Sequence, residues 1–137
     1  PQQIDEFLRL RQGPLLAGKE PRDMAPAVAL SLMSPFATEA HLQRLIESMS
    51  ALHKVSYLKA LETVARWRGR HDLMSVAAPT LVMVGSHDPL TPPAISQRIA
   101  AGIPGARLAV IDRAGHLSNI EQPEIFNAVL REFLLSL

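Results

Sequence analysis

The sequence predicts an α/β chain in which a series of helices leads into a compact βαβα unit. Three observations carry that prediction. Residues 1–78 hold apolar stripes at three- and four-residue steps and no convincing strand. Two short apolar runs, residues 80–84 and 107–111, each stop at a loop rich in turn residues. A segment of helical length follows each of them, opened by proline. Strand, helix and strand joined by short connections make the two strands parallel and adjacent, with a right-handed crossover.

Taken in order, Ile4, Phe7, Leu8 and Arg11 have helical spacing, and the first helix is expected to end near Gln12, before Gly13 and Pro14. KEPR, residues 19–22, is expected as a turn. Residues 24–33 carry Val28, Leu30, Leu32 and Met33 over alanine-rich sequence, a second helix that Ser34 and Pro35 stop. Thr38 suits the N-cap of a third helix over residues 39–50, where Leu42, Leu45, Ile46 and Met49 form the stripe. Ser56 is the expected cap of a fourth, with Leu58, Leu61, Val64 and Ala65 on one face and Trp67 just beyond.

Composition shifts at residues 76–79 and divides the chain into 1–78 and 79–137. The run at 80–84 lacks polar alternation, as a strand buried on both faces does. Thr91 and Pro92 suit the N-cap and first position of the crossover helix, which Gly102, Pro104 and Gly105 end. After the strand at 107–111, Pro123 opens a last helix. Its Ile125, Phe126, Val129, Leu130, Phe133 and Leu134 make a strongly apolar face directed at the sheet.

The chain has 137 residues, so one domain is the prior, and 47% of them are hydrophobic. That share is rich for two parallel strands, which are too few for an independently stable sheet. The apolar surface is therefore expected to face a missing N-terminal half or another copy. Lys and Arg number 14 against 13 Asp and Glu, a balance that favours neither nucleic acid nor an anionic membrane as partner. The short cluster Arg66, Arg68, Arg70 and His71 suits a solvated helix end. Without cysteine there are no disulfides and no thiolate metal sites. No apolar run approaches the roughly 20 residues that span a bilayer, and PQQIDEFLRLRQ is too polar for a signal peptide, so a cytoplasmic location is expected.

Chemistry concentrates at the carboxyl ends of the two strands, where open α/β sheets bind ligands. Asp88 lies in the loop after the first strand and His116 in the loop after the second, so adjacent parallel strands can bring them together. An Asp at such a place also suits a turn that caps the next helix, and a lone loop histidine is often a surface group. Joined, a carboxylate on one ring nitrogen fixes the tautomer and stabilises the imidazolium, while the other nitrogen accepts a proton from a nucleophile. Asp112 is expected to end its strand through a side-chain turn, and Glu121 to favour the start of the last helix through its dipole. A metal held by His87, Asp88, Asp112 and His116 lacks the ligand spacing of known sites, so no metal is expected.

Two stretches, PTLVMVGSHDPLTPP (residues 79–93) and GHLSNIEQPE (residues 115–124), resemble the α/β-hydrolase family in its order of nucleophile, acid and histidine. The second is most similar to 3-oxoadipate enol-lactonase-type hydrolases; carbon–carbon bond hydrolases, haloperoxidase-like proteins and esterases share much of it. The resemblance implies a partial α/β-hydrolase fold, with residues 1–78 as the helical cap and 79–137 as the C-terminal part of the core. It implies Asp88 as the acid, His116 as the base, a small ester or lactone as substrate and no cofactor. Trp67, at the return of the cap, is the expected pocket-wall residue. The family's GxSxG elbow does not occur in these residues, and Ser86 precedes the acid in the same loop. The expectation is thus a C-terminal half, inert without its nucleophile. The rival of another class is a non-catalytic association module. Nucleotide binding is disfavoured, because the first turn, GSHDPL, is not a glycine-rich phosphate loop.

Overall fold

A computed structural model describes residues 2–67 and 72–137; Arg68, Arg70 and His71 of the basic cluster lie outside the described residues. The order is α1 (Gln2–Leu16), α2 (Pro21–Leu30), α3 (Glu39–Ser50), α4 (Lys54–Arg66), a 3₁₀ turn (Leu73–Ser75), β1 (Leu81–Gly85), α5 (Pro93–Gly102), β2 (Arg107–Ile111), α6 (Ser118–Glu121) and α7 (Pro123–Leu135). The chain divides into two compact units. One comprises Pro1–Ala29 and Gln43–Arg70, the other Leu30–Leu42 and His71–Leu137.

In the helical unit α1 packs on α4, where the Gln12 side-chain amide donates to the Leu58 carbonyl at 3.0 Å. Contrary to expectation, α1 does not end near Gln12 but runs through Gly13 and Pro14. A proline inside a helix removes one hydrogen bond and costs about 3 kcal/mol, and its ring crowds the Cβ of the residue before it. Gly13 has no Cβ to crowd. Leu15, only 1% exposed, recovers about 2 kcal/mol by burial. The helix stops instead at Gly18, whose φ of 103° only glycine adopts cheaply. There the Lys19 N–H donates to the Pro14 carbonyl at 3.0 Å and the Gly18 N–H to the Leu15 carbonyl at 3.2 Å, a Schellman closure.

The expected turn at 19–22 is the start of α2. Pro21 occupies its first position, and the Asp23 carboxylate reaches back to accept the Glu20 N–H at 2.7 Å. Thr38 does cap α3: its hydroxyl accepts the His41 N–H and its own N–H donates to His41 Nδ1, both at 3.3 Å. His53, not Ser56, is the N-cap of α4. The Ser56 hydroxyl pairs with His53 Nδ1 at 3.2 Å, so the helix gains most of a turn ahead of it.

In the strand-bearing unit β1 and β2 are parallel, in register from Leu81 with Arg107 to Gly85 with Ile111. The crossover helix α5 packs on both strands, and α7 packs on β2. Met33, Val84, Ile103, Ile111, Ala114 and Phe133 are the buried apolar side chains among the described residues of this unit. Arg107 joins β2 to α7 through Glu132 at 2.6 Å, with its guanidinium 5.9 Å from the centre of the Phe133 ring. The first strand, the one expected to be buried on both faces, is half-buried to buried along its length, whereas β2 is more open. Leu108 and Val110, which share a face at the two-residue period, are 38% and 46% exposed. The expected apolar face of α7 is likewise only partly used: Phe133 is buried, whereas Ile125 and Leu134 are exposed.

Helix α2 ends at Leu30 instead of Met33 because the backbone beyond it is claimed by other partners. The Leu32 carbonyl accepts the His116 N–H at 2.8 Å, and the Ser34 N–H donates to Glu121 at 3.0 Å. No helix among the described residues is long and apolar enough to cross a membrane.

Candidate active site

Parallel pairing puts Gly85 and Ile111 side by side, so the loops leaving them start as neighbours. Backbone bonds then lace them together. Ser86 N–H donates to the Ile111 carbonyl at 2.8 Å and His87 N–H to the Ala114 carbonyl at 2.9 Å. Gly85 is required for this approach, since a Cβ there would collide with the carbonyl oxygens of Ala114 and Gly115.

Asp88 is buried, and both of its oxygens are fully engaged. Oδ1 accepts the N–H groups of Leu90 and Thr91, each at 2.9 Å. Oδ2 accepts the Thr91 hydroxyl at 2.8 Å and lies 2.9 Å from His116 Nδ1. Because Thr91 is recruited in this way, it is not the N-cap of α5; Pro92 takes that place and Pro93 the first helical position. The turn-forming role of Asp88 and its contact with the histidine are therefore compatible. Burial pushes the Asp88 carboxyl up, but the Thr91 N–H, the His116 ring, the Thr91 hydroxyl and the Leu90 N–H outweigh that effect and hold it below the usual carboxylate range.

His116 is half-buried, with 32% of its side chain exposed. Beside an ionised Asp88 the ring carries its proton on Nδ1 and donates it to Oδ2, which leaves the lone pair of Nε2 available. Such an imidazole can accept a proton at Nε2 while the carboxylate stabilises the resulting cation.

The other groups singled out in the sequence have different partners. His87 stands edge-on to Phe36, ring centres 5.0 Å apart, and its Nδ1 is 2.8 Å from the Ser86 hydroxyl. Asp112 does not form a side-chain turn: it accepts a long bond from the Ser86 hydroxyl at 3.4 Å, and the chain turns at Arg113, with φ of 54°. The Arg113 guanidinium lies over Phe36, 4.5 Å from the ring centre. Among the described residues no three His, Asp or Glu side chains are grouped to hold a metal ion. Trp67 belongs to the helical unit, at the C-cap of α4, and is 64% exposed.

Glu121 departs from its expected role at the start of α7. It is the last residue of the short helix α6, 4% exposed, and its carboxylate accepts from Ser34 and Gly115. Neither Ser34 nor the Leu32 carbonyl stood out in the sequence. The one available signal was an acidic residue set five positions after the histidine, in the segment HLSNIEQP.

A model of the alpha/beta hydrolase family matches residues 3–129 of this chain. The chain belongs to the alpha/beta hydrolase family. Among curated hydrolases, 3-oxoadipate enol-lactonase 1 of Acinetobacter baylyi is 36% identical over 95 residues, which are 69% of this chain and 35% of that enzyme. A putative carbamate hydrolase of Azorhizobium caulinodans is 36% identical over 76 residues, 56% of this chain and 29% of that protein. A thermophilic esterase from Thermogutta terrifontis superposes with a TM-score of 0.86 at 25% identity, covering 99% of this chain and 51% of the esterase. The chain thus spans about a third of the length of the curated relatives it matches and about half of that solved esterase. Its helices and two parallel strands are a partial alpha/beta-hydrolase fold.

Proposed function

We propose that this chain is the C-terminal half of a serine-type hydrolase for a small ester or lactone, of the 3-oxoadipate enol-lactonase kind. His116 takes the proton of a serine hydroxyl at Nε2 as that oxygen attacks the acyl carbon, then returns it to the leaving oxygen. Asp88 holds the ring and stabilises the imidazolium in between. The nucleophile and the oxyanion donors come from a segment outside these residues, and without it the chain is inert. Residues 1–78 act as the cap, with Trp67 on the pocket wall, and no cofactor takes part. A cytoplasmic location goes with this reading.

The observation that carries it is the 2.9 Å contact between His116 Nδ1 and an Asp88 carboxylate whose remaining acceptor positions are all filled. The test is steady-state hydrolysis of enol-lactone and p-nitrophenyl ester substrates by the full-length protein. His116→Ala is expected to lower kcat by about a thousandfold or more with the fold retained. A variant that keeps wild-type turnover overturns the assignment.

A second reading, a non-catalytic association module, is favoured by one observation, the exposure of Leu108 and Val110 on β2 and of Ile125 and Leu134 on α7. Apolar side chains grouped on neighbouring elements suit a partner surface. Light scattering of the 137-residue chain separates the two. A stable oligomer that is unaffected by an added N-terminal half supports the module, whereas a heterodimer that gains esterase activity supports the hydrolase.

A further inference from the structure

Glu121 is the most buried charged side chain among the described residues, and the chemistry proposed above does not use it. Three groups point at its carboxylate, and every one is a donor. Oε1 accepts the Gly115 N–H at 2.8 Å; Oε2 accepts the Ser34 N–H at 3.0 Å and the Ser34 hydroxyl at 2.5 Å. Such a set requires an acceptor-only group, because an amide would turn an NH₂ towards at least one donor. The bonds are charge-assisted and buried, the strong kind.

What they hold is the residue immediately before His116. On the other side the His116 N–H itself donates to the Leu32 carbonyl at 2.8 Å. The two peptide N–H groups at the base of the imidazole are thus anchored to residues 32–34, one through Glu121 and one directly. The fit is tight enough to need glycine at 115, where a Cβ would lie 2.7 Å from Oε1 and 2.5 Å from the Ser34 nitrogen. Ser34 ties the anchor further: its oxygen lies 3.2 Å from the Arg113 carbonyl and accepts the Phe36 N–H at 3.1 Å.

We propose that Glu121 is a positioning residue, which clamps the Gly115–His116 peptide against Ser34 and so sets the imidazole on Asp88. The inference rests on the reading of His116 as the base. Glu121 bonds only to backbone and to Ser34, so its effect reaches the reaction through where the ring stands. Displacement of a catalytic group by about 1 Å is enough to cost up to about a hundredfold in rate.

The test is Glu121→Gln in the full-length protein, which keeps the size and removes one acceptor. The expected result is a kcat lowered about tenfold or more with KM within about twofold, since a ring held out of line impairs the chemical step more than ground-state binding. The proton on His116 Nδ1, followed by NMR, is expected to lose the low-field position of a carboxylate-bound imidazole. A merely structural role would lower the melting temperature and leave both readouts at wild-type values in the folded variant; that result overturns the proposal. If Glu121→Gln does not fold, Ser34→Ala decides, with a kcat loss of about threefold and a shifted Nδ1 proton expected and wild-type values for both contradicting the clamp. Should the wild type hydrolyse no ester, the hydrolase reading falls, while the Nδ1 signal in the variants still judges the clamp.

Discussion

The helical unit and the pair of loops above the strands are held by different forces. In the helical unit, apolar side chains such as Leu8 and Leu15 are buried, and charged groups pair at the surface, as Lys54 does with Glu20 and Arg66 with Glu62. At the loops the inside is polar and mostly backbone. Asp88, Glu121, Ser34 and Ser118 are all buried, and no buried side-chain nitrogen or oxygen among the described residues lacks a partner. A core of the first kind tolerates adjustment, because apolar contacts are many and individually small. A satisfied polar core has few interchangeable contacts, and loss of one bond leaves a buried group unpaired.

The same substitution in the two regions tests that difference most sharply. Gly85→Ala drives a methyl into two carbonyl oxygens and should cost about 4 kcal/mol or more, read as a fall in the urea midpoint at unchanged slope. Near-wild-type stability would mean that the loops yield more readily than their bonding implies.

Asp88→Asn comes next. The amide keeps one acceptor for Leu90 and Thr91 but turns an NH₂ towards the Thr91 hydroxyl and the ring, at a cost of about 2 kcal/mol near neutrality. The folded carboxyl titrates below its ordinary value of 3.8, so its contribution is complete above that pH and fades as the pH falls through the depressed folded-state value. The gap in stability between wild type and Asp88→Asn should therefore narrow as the pH falls below about 4. A gap that instead widens below about pH 4 would reverse the sign of the argument.

Gly13→Ala should have the smallest effect. A Cβ there meets nothing within 4 Å, and the helix gain of about 1 kcal/mol from alanine is countered by crowding against the Pro14 ring. A net change within about 0.5 kcal/mol of zero is expected from the same denaturation curves.

How much of this was visible beforehand follows from the same contrast. Periodicity and punctuation located the four long N-terminal helices, the parallel pair and α7, because those elements are defined by which side chains repeat on a face. Strand adjacency brought Asp88 to His116 without any knowledge of side-chain contacts. Boundaries failed where hydrogen bonds outside the apolar pattern decided them, local ones as often as long-range ones. The backbone at Leu32 was expected in α2 but bonds His116, and Thr91 gave up capping α5 to bond Asp88. Glu121 was misjudged because two of its three donors, the N–H and hydroxyl of Ser34, lie far away along the chain.

One consequence of the Asp88 geometry concerns how a molecule could reach this place. With two backbone amides, a hydroxyl and a ring nitrogen already on its two oxygens, the carboxylate offers an incoming guest no vacant lone pair. Traffic is therefore one-sided: whatever docks here must approach across the outer edge of the imidazole, and the aspartate is sensed only as charge.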